Sequence, residues 1–160
     1  MPGILKTEGI MRKSIDFGRK FIDFIREITL DLEAVFLPSL EIYGLTMIQS
    51  RILFEIYLNQ KITVGSLCHT IGSSSGNASI ACKKLEKQGY INRIRDTADE
   101  RVVNLQLTGA GRKTVKSIEQ EFQEKYDPVL SNITEDDFHI IMLGMEKIKD
   151  IFIQLKNTQN

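Results

Sequence analysis

"SSSGNASIACKKLEKQG", residues 73–89, sets a cluster of Ser, Gly and Asn directly against a lysine-bearing stretch with helical spacing. At about 100° per residue, Ala78, Ala81, Cys82 and Leu85 fall on one side of a helix, in steps of i, i+3, i+4 and i+7. The opposite side carries Gly76, Ile80, Lys83 and Lys87, flanked by Asn77, Ser79 and Lys84. This predicts a helix with an apolar inner face and an outer face that begins small and polar and ends positive. Short side chains at the entering end let the backbone come close to a partner.

Upstream, "TVGSLCHTIG" reads as a short helix with Val64, Leu67, Cys68 and Ile71 on one side and Gly72 as its exit. Before it, "LTMIQSRILFEIYLNQ" opens on a capping-box pair, Thr46 and Gln49, and offers Ile48, Ile52 and Ile56 as an inner face. The first helix is expected over "SIDFGRKFIDFIREITLDLEAVFLP", with Phe17, Phe21, Phe24, Ile28, Leu32 and Val35 three or four apart and Pro38 as its stop. Downstream of Gly89 the period becomes two. "YINRIR" and "RVVNLQL" read as paired strands around "DTADE", with Val103, Leu105 and Leu107 on one face. A helix capped by Thr108 follows and is separated by Pro128 from a last one, capped by Thr134 and headed by Glu135, Asp136 and Asp137. In that last helix Phe138, Ile141, Met145, Ile148, Phe152 and Leu155 form a heptad-like seam that calls for a partner.

The order is helix, helix, helix, helix, hairpin, helix, helix. The expected fold is therefore mainly α with a small β-wing: a winged helix-turn-helix over residues 46–108, with residues 1–45 and 109–160 as a helical dimerisation region. Lys plus Arg equals Asp plus Glu over the whole chain, yet Thr46 to Arg112 holds nine bases against five acids. A basic middle in a neutral chain suggests a local anion-binding surface.

Within that frame the quoted stretch has the chemistry of a major-groove helix. Asn77 suits a bidentate contact with an adenine edge, Ser79 can donate or accept, and Ile80 fits a thymine methyl. Lys83 and Lys84 reach for phosphates. The hydroxyls of Ser73, Ser74 and Ser75, with the amides of the helix start, suit a phosphate oxygen. Plain capping serines on an ordinary solvated face would look the same in isolation; the helix-turn-helix placement and the wing favour the DNA reading. In the wing, Arg93, Arg95 and Arg101 place three guanidiniums near a hairpin tip, suited to the negative potential of a narrow minor groove. Asp99, two residues before Arg101, is placed to orient its guanidinium.

These residues resemble the MarR (multiple antibiotic resistance regulator) family of winged helix-turn-helix transcription regulators. Its pattern is met by Leu85–Glu86, Gly89, Arg93, Asp99–Arg101 and Leu107–Thr108–Gly111, over about residues 45 to 112. The position of Ile80 departs from it, being often polar or basic in the family. The resemblance implies a symmetric homodimer whose terminal helices interlock, bound to a pseudo-palindromic double-stranded operator. It also implies repression relieved by a small, often aromatic, effector. A crevice under the first two helices, with Phe36, Tyr43 and Tyr57, is the candidate effector seat, although all three also read as core. A winged-helix protein–protein interaction module is the alternative; such modules usually lose the basic wing.

Other chemistries find little support. Cys68, His69 and Cys82 lack the repeated short spacing of metal ligands, and no cofactor is expected. The two cysteines fall on inner faces, where burial is the plain reading and a disulfide switch the other. His139 has no acid or nucleophile partner in sequence, and no phosphate loop, dinucleotide fingerprint or nucleophile elbow occurs, so no enzyme is expected. The opening "MPGILKTEGIMRK" lacks a signal peptide's apolar run and no segment suits a membrane span, which points to the cytoplasm.

Overall fold

The computed structural model describes the backbone of residues 3–59, 62–72, 74–97, 99 and 101–158, and side chains from residue 15 onward within those ranges, Ser75 excepted. In chain order the elements are α1 (Gly3–Glu41), α2 (Met47–Leu58), β1 (Ile62–Thr63), α3 (Val64–Ile71), α4 (Ser75–Lys87), β2 (Ile91–Arg95), β3 (Val103–Leu107), α5 (Gly109–Leu130) and α6 (Glu135–Asn157). They form two units, Met1–Ile118 and Glu119–Asn160.

The first unit closes around one core. Ile52, Leu53, Leu67, Ala78, Cys82, Leu85, Ile91, Leu105, Val115 and Ile118 are all buried in it. Its helices start where the sequence supplies caps. Thr46 and Gln49 form a reciprocal capping box on α2, and the Gln49 side chain is itself buried. Thr63 and Ser66 repeat the device on α3, which leaves through Gly72 at φ 62°, a left-handed conformation that glycine adopts without steric penalty. Arg51 of α2 donates to the Thr70 carbonyl at the negative end of α3.

The sheet has the order β1-β3-β2 and is antiparallel throughout. The β2–β3 register runs from Ile91 opposite Leu107 to Arg95 opposite Val103, so the hairpin expected from the period-two pattern is present. Leu105 and Leu107 are buried while Val103, nearer the tip, is half-buried. Strand β1 carries no sequence signal of its own: two residues show no alternation, and Thr63 doubles as the cap of α3.

Several boundaries differ from expectation. α1 continues through Pro38 to Glu41. Ser39 and Leu40 are buried there, and this packing holds the last turn although proline removes one helical hydrogen bond. Pro128 likewise lies inside α5 rather than after it. Ile48 is 38% exposed, so only Ile52 and Ile56 of the proposed α2 stripe face inward.

At the start of α5, Thr108 Oγ1 donates to the Gly89 carbonyl at 2.7 Å and accepts from the Gly111 amide at 3.0 Å. A side chain at Gly111 would collide with the Tyr90 carbonyl, so glycine there is a packing requirement.

In the second unit Thr134 caps α6 by accepting from the Asp137 amide at 3.1 Å, with the three acids at the positive helix end. No described residue of α6 is buried. Phe138, Met145 and Leu155 of the seam are each more than half exposed. In the first unit, α1 shows the same character at Phe17, Ile22 and Leu30. No helix among the described residues is long and apolar enough to cross a membrane.

Candidate nucleic-acid interface

Helix α4 is held by its inner face. Ala78, Cys82 and Leu85 have no exposed surface and Ala81 almost none, against α2, α3 and β2. Three of the four are small, which lets the helix sit close to its neighbours and fixes which side faces out. Gly76, Asn77, Ile80, Lys83, Lys84 and Lys87 are exposed; Ser79 is half-buried at the edge. Ile80 is 67% exposed, a large apolar side chain amid amide, hydroxyl and ammonium groups. The small-to-positive gradient read from residues 73–89 is thus displayed on one outward face.

Ser74 is the N-cap, its hydroxyl accepting from the Asn77 amide at 3.4 Å. Ser73 and the side chain of Ser75 lie outside the described residues. Lys84 and Lys87 occupy the last turn, where positive charge matches the carbonyl end of the helix.

The wing is tightened by two aspartates. Asp96 accepts from the Asp99 amide at 3.3 Å and, through its other oxygen, from the Asn104 side chain. Asp99 Oδ1 accepts from the backbone amide of Arg101 at 2.9 Å. Asp99 thus sets the loop's backbone directly beside Arg101. A carboxylate two residues upstream naturally closes a local turn of this kind. Arg95 and Arg101 are exposed.

Arg93 departs from the expected trio. Its guanidinium lies 3.6 Å from the Glu86 carboxylate of α4, and its side chain is only 18% exposed. Its Nε is buried without a hydrogen-bond partner. Arginine counting along the strand missed this because the partner comes from another element.

Of the three suggested effector residues, one lines a described hollow. Tyr57 lines a hollow with Ile56, Gln106, Leu107 and Arg112; neither Phe36 nor Tyr43 is among its lining residues. Phe36 is half-buried on α1. Tyr43 offers its backbone carbonyl to the Tyr90 hydroxyl at 3.0 Å. Gln88 bonds both the Gly44 carbonyl and the Gln49 side chain. These bonds tie the turn after α1 and the first turn of α2 to the exit of the outward-facing helix. They span 39 to 47 residues of sequence, so no local pattern announces them.

Cys82 is buried, and burial pushes its thiol up to about 11, partly offset by the Arg93 charge. Cys68 is half-buried and turns its sulfur to the Val64 carbonyl. Among the described residues no group of His, Cys, Asp and Glu could hold a metal ion.

Comparison with known proteins agrees with this architecture. The Transcriptional regulator SarA/Rot family matches residues 34–118, just over half of the chain. The regulator SarZ of Staphylococcus epidermidis is 30% identical over 139 residues, covering 87% of this chain and 76% of that protein. YwaE of Bacillus subtilis, an uncharacterised HTH-type transcriptional regulator, is 24% identical over 111 residues. That match covers 69% of this chain but only 65% of YwaE, so the chain spans just under two thirds of that relative's length. Among solved structures, the MepR–DNA complex of S. aureus matches with a TM-score of 0.74 at 22% identity, over 82% of this chain and 97% of that one. Winged-helix architecture, profile match and SarZ similarity together place the chain in the SarA/Rot family of transcriptional regulators, of the winged-helix MarR type.

Proposed function

We propose that this protein is a cytoplasmic homodimeric repressor that binds a pseudo-palindromic site in double-stranded DNA and is released by a small aromatic effector. Residues 46–108 form the DNA-binding part, and residues 1–45 and 109–160 the dimerisation part. The observation that carries the reading is the outward face of α4, polar at its capped start and basic at its end, beside a hairpin that exposes Arg95 and Arg101. Asn77 and Ser79 address base edges, while Lys83, Lys84 and the two wing arginines address phosphate or the minor groove. MepR, which shares the fold, was solved on DNA, and this supports the same use of the scaffold here.

The dimer is supported by the apolar faces of α1 and α6, which are far too exposed for a chain working alone. In such a dimer the two α4 helices would enter successive major grooves about 34–36 Å apart. Repression and effector release rest on the family resemblance. The hollow of Tyr57 and Arg112, an aromatic ring beside a fixed positive charge, is a suitable seat for an aromatic anion.

The test is DNA selected from a random pool by the purified protein, followed by affinity measurements across a salt series. Tight binding to the selected duplex that weakens steeply with salt is expected. A chain that binds no duplex, or binds without salt dependence, would instead be a protein–protein interaction module.

A further inference from the structure

Ile91, Arg93 and Arg95 share one face of β2 by the period-two rule. Exposure rises along them: Ile91 is buried, Arg93 is largely covered, and Arg95 is free. The strand thus runs outward from the core, and on this face Arg93 is the residue that reaches Glu86 of α4. Below it stands Glu86, one helical turn beyond the buried Cys82. The Arg93 charge is felt at Cys82 as well, consistent with a guanidinium seated between strand and helix.

We propose that Arg93 is a positioning residue: paired with Glu86 it fixes the wing against α4, and it does not itself touch DNA phosphate. This rests on the DNA-binding reading of α4 and the wing. A guanidinium offered to DNA would extend into solvent, as those of Arg95 and Arg101 do. Arg93 instead turns inward and leaves its Nε buried and unpartnered, so the pairing and the packing hold it there. Its effect on DNA affinity follows from linkage. Helix and wing are two contact elements on one molecule, and the second binds well only if the first presents it at the right place. Removing Glu86 would leave a largely buried positive charge unmatched and free the strand to move.

The experiment uses Glu86→Gln, Arg93→Gln and the double variant in the full-length protein, with duplex DNA selected by the wild type. Each single variant should bind about fivefold more weakly, the scale of a partly covered ion pair. The double variant should be no weaker than the worse single one. The slope of log affinity against log salt should stay unchanged in all three, whereas Arg101→Ala should reduce it by about one. Without DNA, both single variants should show faster amide exchange across Ile91–Arg95. The reversed pair, Glu86→Arg with Arg93→Glu, should recover part of the affinity. A lower salt slope for Arg93→Gln with a silent Glu86→Gln would make Arg93 a phosphate contact and overturn the proposal. So would additive losses or unchanged exchange. Glu86→Gln changes a half-exposed side chain and keeps the test valid should Arg93→Gln fail to fold. If the wild type shows no salt-dependent DNA affinity, the functional reading falls, and amide exchange still decides whether the pair restrains the wing.

Discussion

Helices α4 and α6 carry the same kind of signal and use it differently. Both show apolar residues three and four apart. In α4 that face is Ala78, Ala81, Cys82 and Leu85, and its own chain buries all four. In α6 it is Phe138, Ile141, Met145, Ile148, Phe152 and Leu155, none of them buried. Size accounts for the difference. Alanine and cysteine let a short helix sit close against α2 and α3, leaving the other side free to face outward. Large side chains in a heptad-like row need the holes of another helix. Helical spacing reveals that a face will be covered; side-chain volume indicates by what.

The contrast can be broken at either end. Leu85→Ala should destabilise the first unit by about 2–5 kcal/mol, since it opens a cavity in a fully buried site. The loss should be the same at every protein concentration in urea melts. Met145→Glu with Phe152→Glu should instead act through association, costing about 2–4 kcal/mol of dimer stability if each position is a central interface contact. Sedimentation should show a monomer, with the far-ultraviolet helix signal largely kept. Gly111→Ala should destabilise by about 1–3 kcal/mol, reversing the usual gain of Gly→Ala in a helix, because the new methyl meets the Tyr90 carbonyl.

The outward face of α4 yields finer tests. Asn77→Ala should lower affinity for the selected duplex by about 1–3 kcal/mol and leave random DNA almost unaffected. Lys84→Ala should weaken both alike and flatten the salt dependence. The smallest effect concerns Cys82. Its folded-state pKa is raised from 9.0 to about 11, so the neutral thiol favours the folded state. Its contribution is complete below about pH 9 and is lost as pH rises towards 11. Cys82→Ala should remove that part of the alkaline decline in stability. At neutral pH a buried thiol is a poor nucleophile, and diamide treatment should leave DNA affinity unchanged.

Much of this was legible in advance because it is local. Thr46 with Gln49, Gly72, Thr108 and Thr134 cap helices where their neighbours in sequence said they would, and the inner face of α4 and the β2–β3 hairpin follow from spacing alone. What was not legible depends on distant partners. Ile48 lies on the right side of α2, but nothing covers it fully. Pro38 fails to stop α1 because Ser39 and Leu40, the next two residues, are buried. Arg93 reads as one of three wing cations until Glu86 is seen across from it. Asp99 spends its carboxylate on a backbone amide, a choice that composition cannot reveal.

The bonds from Gln88 and Tyr90 to the Gly44 and Tyr43 carbonyls anchor the turn at the end of α1. Its 39 residues make a rod about 58 Å long, at about 1.5 Å per residue. For a rod of that length, each ångström of sideways travel at the far tip is a rotation of about one degree at the anchored end. By lever geometry, a sideways displacement at the tip becomes only a small rotation at the end bonded to Gln88 and Tyr90.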